Sequence, residues 1–149
     1  RLHCFVDRPE APASDPYDAT LTFHRVDDQK FLSMMARCRG VVCTAGFESV
    51  AEAMYLGKPV QVVPVAGHFE QHCNAHDVER TGAGCRSAHF DPGRLVRGWA
   101  GYRPPGAAFR RWVEDGQARF VRAVEAAAGV QRARSRSSGR YRAVFNLKN

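Results

Sequence analysis

Residues 41–75, VVCTAGFESVAEAMYLGKPVQVVPVAGHFEQHCNA, constrain the fold more than any other part of the chain. Val41-Val42-Cys43-Thr44 is short, apolar and partly β-branched, the pattern of a strand buried on both faces. Ala45 and Gly46 follow, with a small side chain and none, so a ligand can approach the backbone closely. From Phe47 the period changes. Phe47, Val50, Ala53, Met54 and Gly57 fall on one helical face. Gly57 stops that helix, and Lys58-Pro59 prevents its return. Val60-Gln61-Val62-Val63-Pro64 reads as a second buried strand, followed by a polar loop and a second helix. Strand, helix and strand with short connections make a βαβ unit, whose crossover is right-handed in nearly all cases.

Ligands bind open α/β sheets at the carboxyl ends of the strands. Here those ends are residues 44–46 and 64–68. Free N–H groups and the helix dipole at residues 46–49 favour an anion. Glu48 and Glu52 lie opposite the apolar stripe. Such carboxylates either face water or, for Glu52, line a cleft and accept hydrogen bonds from a ribose diol. The helical wheel does not separate the two.

The segment resembles the donor-binding half of GT-B glycosyltransferases. It is most similar to relatives of the lipid II-forming N-acetylglucosaminyltransferase and to the UDP-glycosyltransferases. The resemblance rests on Gly46, Ser49, Glu52-Ala53, Gly57-Lys58-Pro59, the strand 60–64 ending in Pro, and Gln71-x-x-Asn74-Ala75, all in order. It implies that Thr44, Ala45, Gly46, Phe47 and Ser49 face a donor diphosphate, that Glu52 holds the ribose, and that Glu70 and Gln71 reach sugar hydroxyls. Apart from the resemblance, His68 is read as lining the donor-sugar end of the cleft, with His72 and His76 at the surface. Many relatives carry His where this chain has Thr44, whose hydroxyl can donate to a phosphate but carries no charge. A weaker likeness extends upstream, through Phe31-Leu32-Ser33-Met34-Met35-Ala36 and Cys38-Arg39-Gly40, to a helix capped by Asp27 or Asp28. Altogether it covers about residues 20–85.

The implied fold is α/β, a doubly wound Rossmann-like parallel sheet forming the C-terminal half of a GT-B enzyme. At 149 residues the chain has the size of one domain, whereas a GT-B enzyme needs an acceptor and a donor domain. Leu2-His3-Cys4-Phe5-Val6 and Thr20-Leu21-Thr22-Phe23-His24 are strand-like. In a 3-2-1-4-5 order they are the second and third strands, and the central first strand has no counterpart. The expectation is therefore a donor domain over 1–129, incomplete at its N-terminus, with sheet edges left open to self-association. The matching partner would be an N-terminal acceptor domain.

The net charge of +7 looks like a nucleic-acid signal until it is located. Residues 1–129 hold sixteen Lys and Arg against fifteen Asp and Glu, whereas residues 130–149 hold five Arg, one Lys and no acid. The excess is a basic tail, QRARSRSSGR, expected to be mobile. It suits RNA or an anionic membrane surface, or is a mere extension. Nucleic acid is not the expected partner of the nearly neutral remainder. Ala143-Val144-Phe145-Asn146-Leu147 has the composition of a short strand able to cap a sheet edge.

Five cysteines without a C-x-x-C pair argue against a disulfide framework and for reduced core thiols. No apolar run approaches the ~20 residues of a membrane span, and no leader is visible. The expected compartment is the cytoplasm. His68, His72 and His76 recur at fours, yet lack a third ligand or a zincin pattern, so no metal is expected. Asp91-Pro92-Gly93 reads as a turn or a helix start, and residues 94–99 as a short amphipathic helix. Residues 109–128 read as one long helical pattern, weakened by Gly116.

The function implied by the resemblance is transfer of a sugar from a nucleotide diphosphate donor, UDP-sugar above all, without an added cofactor. The catalytic base would come from the acceptor half. Two other classes compete. A sugar-nucleotide 2-epimerase shares the two-domain plan, but its Ser-Gly-Gly loop and acidic Arg-Pro segment have no counterpart here. A non-catalytic nucleotide-sugar-binding module is the other.

Overall fold

The computed structural model describes residues 1–129. The chain divides into two compact units, Arg1–Val113 and the residues from Glu114 onward. The basic tail and the edge-capping strand expected over 143–147 lie outside the described residues.

Within the first unit, β1 (Leu2–Val6), β2 (Asp15–Pro16) and β3 (Leu21–Arg25) form one sheet of order β1-β3-β2. β1 and β3 are parallel, with Leu2 opposite Leu21 and Val6 opposite Arg25. β2 adds two antiparallel residues at the outer edge, a place that tolerates Pro16 because no ladder donor is needed there. A second sheet contains β4 (Val41–Thr44), β5 (Val60–Val63) and β6 (Gly84–Arg86), all parallel. β1 and β4 each have one edge without a strand partner among the described residues. The fold is α/β and Rossmann-like, as expected, with the parallel strands divided between two sheets.

Register decides which side chains reach the core. Val41 and Cys43 stand beside Val60 and Val62 on one face. There they meet Met35 of α1 (Asp28–Arg37), Val50 and Ala53 of α2 (Phe47–Tyr55), and Ala75 and Val78 of α3 (Phe69–Arg80). Right-handed crossovers put α2 and α3 on this same face. Gln61 points the other way, fully buried, and its Oε1 accepts from the Asp91 N–H at 3.0 Å. Asp91 caps α4 (Pro92–Gly98), so the second face is covered by α4. Helices on both faces make the second sheet doubly wound.

Local signals explain the helix ends. Asp27 caps α1 through the Lys30 N–H at 2.8 Å. Gly57 follows α2 with a φ of +70°, the left-handed conformation that glycine adopts without strain. Lys58 then donates from Nζ to the Cys38 carbonyl at 2.8 Å, tying the turn to the end of α1. Phe31 of α1 packs against the core and also makes an edge contact with Phe5 of β1, 5.1 Å between centroids. One helix thus touches both sheets.

The long helical pattern over 109–128 is two helices, α5 (Ala107–Glu114) and α6 (Gly116–Ala127). The break falls at Asp115, beside the Gly116 that weakens the pattern. The cysteines need a correction too. All are free thiols, and Cys38 and Cys43 pack against the core as expected, but Cys73 is exposed and Cys4 and Cys85 are only partly buried. No described helix is long and apolar enough to cross a membrane.

Candidate functional site

β4 delivers the chain to the carboxyl edge of its sheet at Thr44. Ala45 is buried in the core, and Gly46 is the N-cap of α2. Gly46 brings no capping side chain. The N–H groups of the first turn, at Phe47, Glu48 and Ser49, therefore have neither an intrahelical acceptor nor a cap. The Gly46 φ of −69° is open to any residue, and a Cβ added there would meet nothing within 4 Å. Neither conformation nor packing requires glycine here; its effect is to leave the space above the backbone open.

β5 ends at Val63, and the next loop turns through Gly67 at φ +76°. His68 caps α3, its Nδ1 accepting from the Gln71 N–H at 3.4 Å. The Gln71 side chain reaches back along the loop, where its Oε1 accepts from the Val65 N–H at 2.9 Å. One turn on, Asn74 donates from Nδ2 to the Ala45 carbonyl at 2.9 Å. The Gln-x-x-Asn motif is thus a double clamp, one residue holding the loop after β5 and the other the loop after β4.

Between the clamped loops lies an open cavity of about 340 Å³ lined by Thr44, Gly46, Phe47, Glu48, Ser49, His68, Glu70 and Gln71. Residues assigned from sequence to the diphosphate and to the sugar therefore share one cavity. Two assigned residues stand outside its lining. The Ala45 methyl is in the core, leaving only the backbone of that residue near the site. Glu52 sits one helical turn beyond Glu48, half-buried. Burial, and then the charges of Glu48 and Asp28, raise its carboxyl above the ordinary 4.5.

Glu48 is the lining residue that sequence reasoning left on a solvated face. It stands in the first turn of α2, where a carboxylate offsets the positive helix end. A helical wheel shows nothing of α3 across the gap; Glu48 would have been found only by combining its first-turn position with the loop order of the βαβ unit. The lining has two carboxylates, Glu48 and Glu70, and no Lys or Arg. The free N–H groups at the start of α2 favour an anion, the two carboxylates oppose one, and those carboxylates are suited to accepting from hydroxyls.

The remaining histidines take other roles. His72 and His76 are exposed, as read from the sequence, and the His76 Nε2 lies 2.9 Å from the Arg86 guanidinium. Among the described residues no cluster of three or more His, Cys, Asp and Glu is placed to hold a metal ion.

Residues 10–97 match the family model of glycosyl transferase family 1, more than half of the chain. The chain belongs to glycosyl transferase family 1. The match begins in the loop before β2 and ends within α4, so it spans the whole cavity and both clamps of this transferase-family chain. Among solved structures, the chain is similar to the glycotransferase of kitacinnamycin, with 24% identity and a TM-score of 0.45. That likeness covers 70% of this chain and 26% of the other, so this family 1 chain spans about a quarter of that protein. No curated protein matches it.

Proposed function

We propose that the chain is the donor-binding part of a GT-B glycosyltransferase that transfers a sugar from a UDP-sugar to an acceptor held by a second domain. The observation that carries this reading is the single cavity joining the uncapped first turn of α2 to Glu70 and Gln71 of α3. The diphosphate rests against the first-turn N–H groups, with the Thr44 and Ser49 hydroxyls as further donors. Glu52 accepts from the ribose diol. His68, Glu70 and Gln71 contact the sugar. As the glycosidic bond to the donor breaks, charge builds on the diphosphate, and preorganised N–H donors and the helix dipole stabilise that charge without a required metal. The catalytic base belongs to the acceptor side. Five free thiols fit a reducing compartment such as the cytoplasm.

Calorimetric titration of the full chain with UDP and UDP-glucose tests this. Binding is expected, with UDP weakened roughly tenfold or more by Glu52→Ala, as loss of a hydrogen bond to a charged group implies. Absence of binding by either compound, or UDP affinity indifferent to Glu52→Ala, would count against the donor reading.

A further inference from the structure

The first sheet carries a cavity of its own, of about 250 Å³, that shares no lining residue with the one bearing Gly46 and Gln71. Val6, Phe23 and Arg25 line it from one face of the sheet, where the β1–β3 register sets them together. The segment between β1 and β3 closes over them, from Arg8 to Tyr17. That segment is pinned to its surroundings. Arg25 donates from Nη1 to the Pro9 carbonyl at 3.2 Å, and Lys30 of α1 from Nζ to the Ala13 carbonyl at 3.1 Å. Asp15 then pairs with Phe23 through β2. The cavity is therefore preformed, as small-molecule sites usually are.

Its charge is the reverse of the donor cavity's. Arg8 and Arg25 both line it, and among the described residues neither forms an ion pair. The Pro9 carbonyl takes up part of the Arg25 guanidinium and holds the rest beside the cavity. Asp15 is the one carboxylate in the lining, and His24 turns its ring nitrogens to His3 and Ser14. Positive charge thus prevails. The remaining walls are apolar: Phe23 meets Tyr17 edge-on, ring centroids 6.1 Å apart, and Val6 and Pro12 add aliphatic surface.

We propose that this cavity binds a small carboxylate carried on a single apolar ring. Planar guanidinium groups match the two oxygens of a carboxylate. The apolar walls cover a ring, which a bare inorganic ion would leave unfilled. The volume lies below the roughly 300–1,000 Å³ of drug-sized sites, so one ring fits. Asp15 opposes further negative charge, which favours a monoanion over a phosphate dianion. The inference is independent of the donor reading, because no residue assigned to the donor takes part.

The test is a nuclear magnetic resonance titration of the full chain with benzoate, with its uncharged counterpart benzamide and with inorganic phosphate, each with and without saturating UDP. Benzoate is expected to shift the amides of Arg8, Ala11, Tyr17 and Phe23 and to leave those of Gly46, Ser49 and Gln71 in place, whether or not UDP is present. Benzamide should bind roughly tenfold more weakly or worse, and Arg8→Gln should weaken benzoate by a similar factor, as loss of a charged hydrogen bond implies. Asp15→Asn should tighten benzoate severalfold, a gain that a folding defect cannot imitate. No shifts by benzoate, shifts confined to the donor cavity, or equal shifts by benzamide or phosphate overturn the proposal. So does weaker benzoate binding by Asp15→Asn in a variant that melts with the parent. Failure of UDP to bind while benzoate maps to the first sheet supports this site and sinks the donor reading alone.

Discussion

The amide of Asn74 donates to the carbonyl of Ala45 across 29 positions of sequence, and this bond fixes the site loop. Ala45 immediately precedes the Gly46 cap, so the bond holds the peptide that leads into α2. Asn74→Ala leaves that carbonyl unpaired in a partly buried position, at a cost of about 1–3 kcal/mol. Asn74→Asp has the same size but no N–H to give, and is expected to fare no better. Thermal melts of both variants should show the loss, and titration with UDP should show weaker binding as the loop relaxes.

Gly46 and Gly84 are expected to respond oppositely to an added methyl. At Gly84 a Cβ would lie 1.8 Å from the Val60 carbonyl oxygen, inside the β5–β6 pairing, where backbone must move. Gly84→Ala should cost about 3 kcal/mol or more, the upper end for overpacking. Gly46→Ala should melt within about 0.5 kcal/mol of the parent, since its φ is unrestricted and its surroundings are empty. UDP affinity should nevertheless fall in Gly46→Ala, because the methyl fills the approach to the α2 amides. Equal stability losses in the two variants would contradict the distinction.

The same pair shows where sequence reading succeeds and stops. The β4–α2–β5 unit is legible because its signals are local: apolar runs, helical spacing, and Gly57-Lys58-Pro59 as a stop. β6 is not, since Gly84-Cys85-Arg86 carries no period and is a strand only because Val60–Val62 lies beside it. β2 is likewise the product of a partner, Thr22 and Phe23, and Pro16 argues against it locally. At the site, the loop order brought the Gly46 and His68 regions to one sheet edge. The clamps by Gln71 and Asn74 were visible only as a motif, because a side chain bonded to distant backbone leaves no periodic trace. The exposure of Phe69 was hidden for the same reason, an aromatic at a helix start being indistinguishable from a core residue until its neighbours are placed.

Glu52 should trade stability for binding. Its carboxyl is raised above 4.5 by burial first, then by Glu48 and Asp28. The protonated form is thus favoured in the folded state, and the corresponding stability is present below pH 4.5 and lost as pH rises through the folded value. Glu52→Gln keeps the shape without the charge. It is expected to melt above the parent at pH 7, with the gap closing toward pH 4, while UDP binding at pH 7 weakens roughly tenfold through loss of a charged acceptor. Melting curves across that pH range and one titration check both halves; a gap that widens on acidification would reverse the sign.

Acid should loosen the first sheet before the second. The His24 ring, 5% exposed, lies 2.9 Å from His3 through Nε2 and 3.2 Å from the Ser14 hydroxyl through Nδ1. Lys30 donates to that same hydroxyl at 2.6 Å, and Phe5 lies against the ring. Loss of water around the rings lowers both histidines below the ordinary 6.5, more of it expected at the buried His24 than at the exposed His3, with Lys30 and His3 adding to the effect on His24, and Arg1 and Lys30 to that on His3. A depressed histidine contributes stability that is whole above pH 6.5 and lost as pH falls through the folded value. The His3–His24 bond also needs one bare ring nitrogen, so it cannot survive when both rings are cations. Between pH 7 and pH 5, amide exchange in β1 and β3, corrected for its intrinsic pH dependence, should quicken roughly fivefold, equivalent to about 1 kcal/mol for one hydrogen bond. The β4–β5 amides should hold. His24→Phe, which cannot titrate, should flatten the response even though it gives up both ring bonds; a parent and a variant with the same pH profile would show that these rings do not govern the sheet.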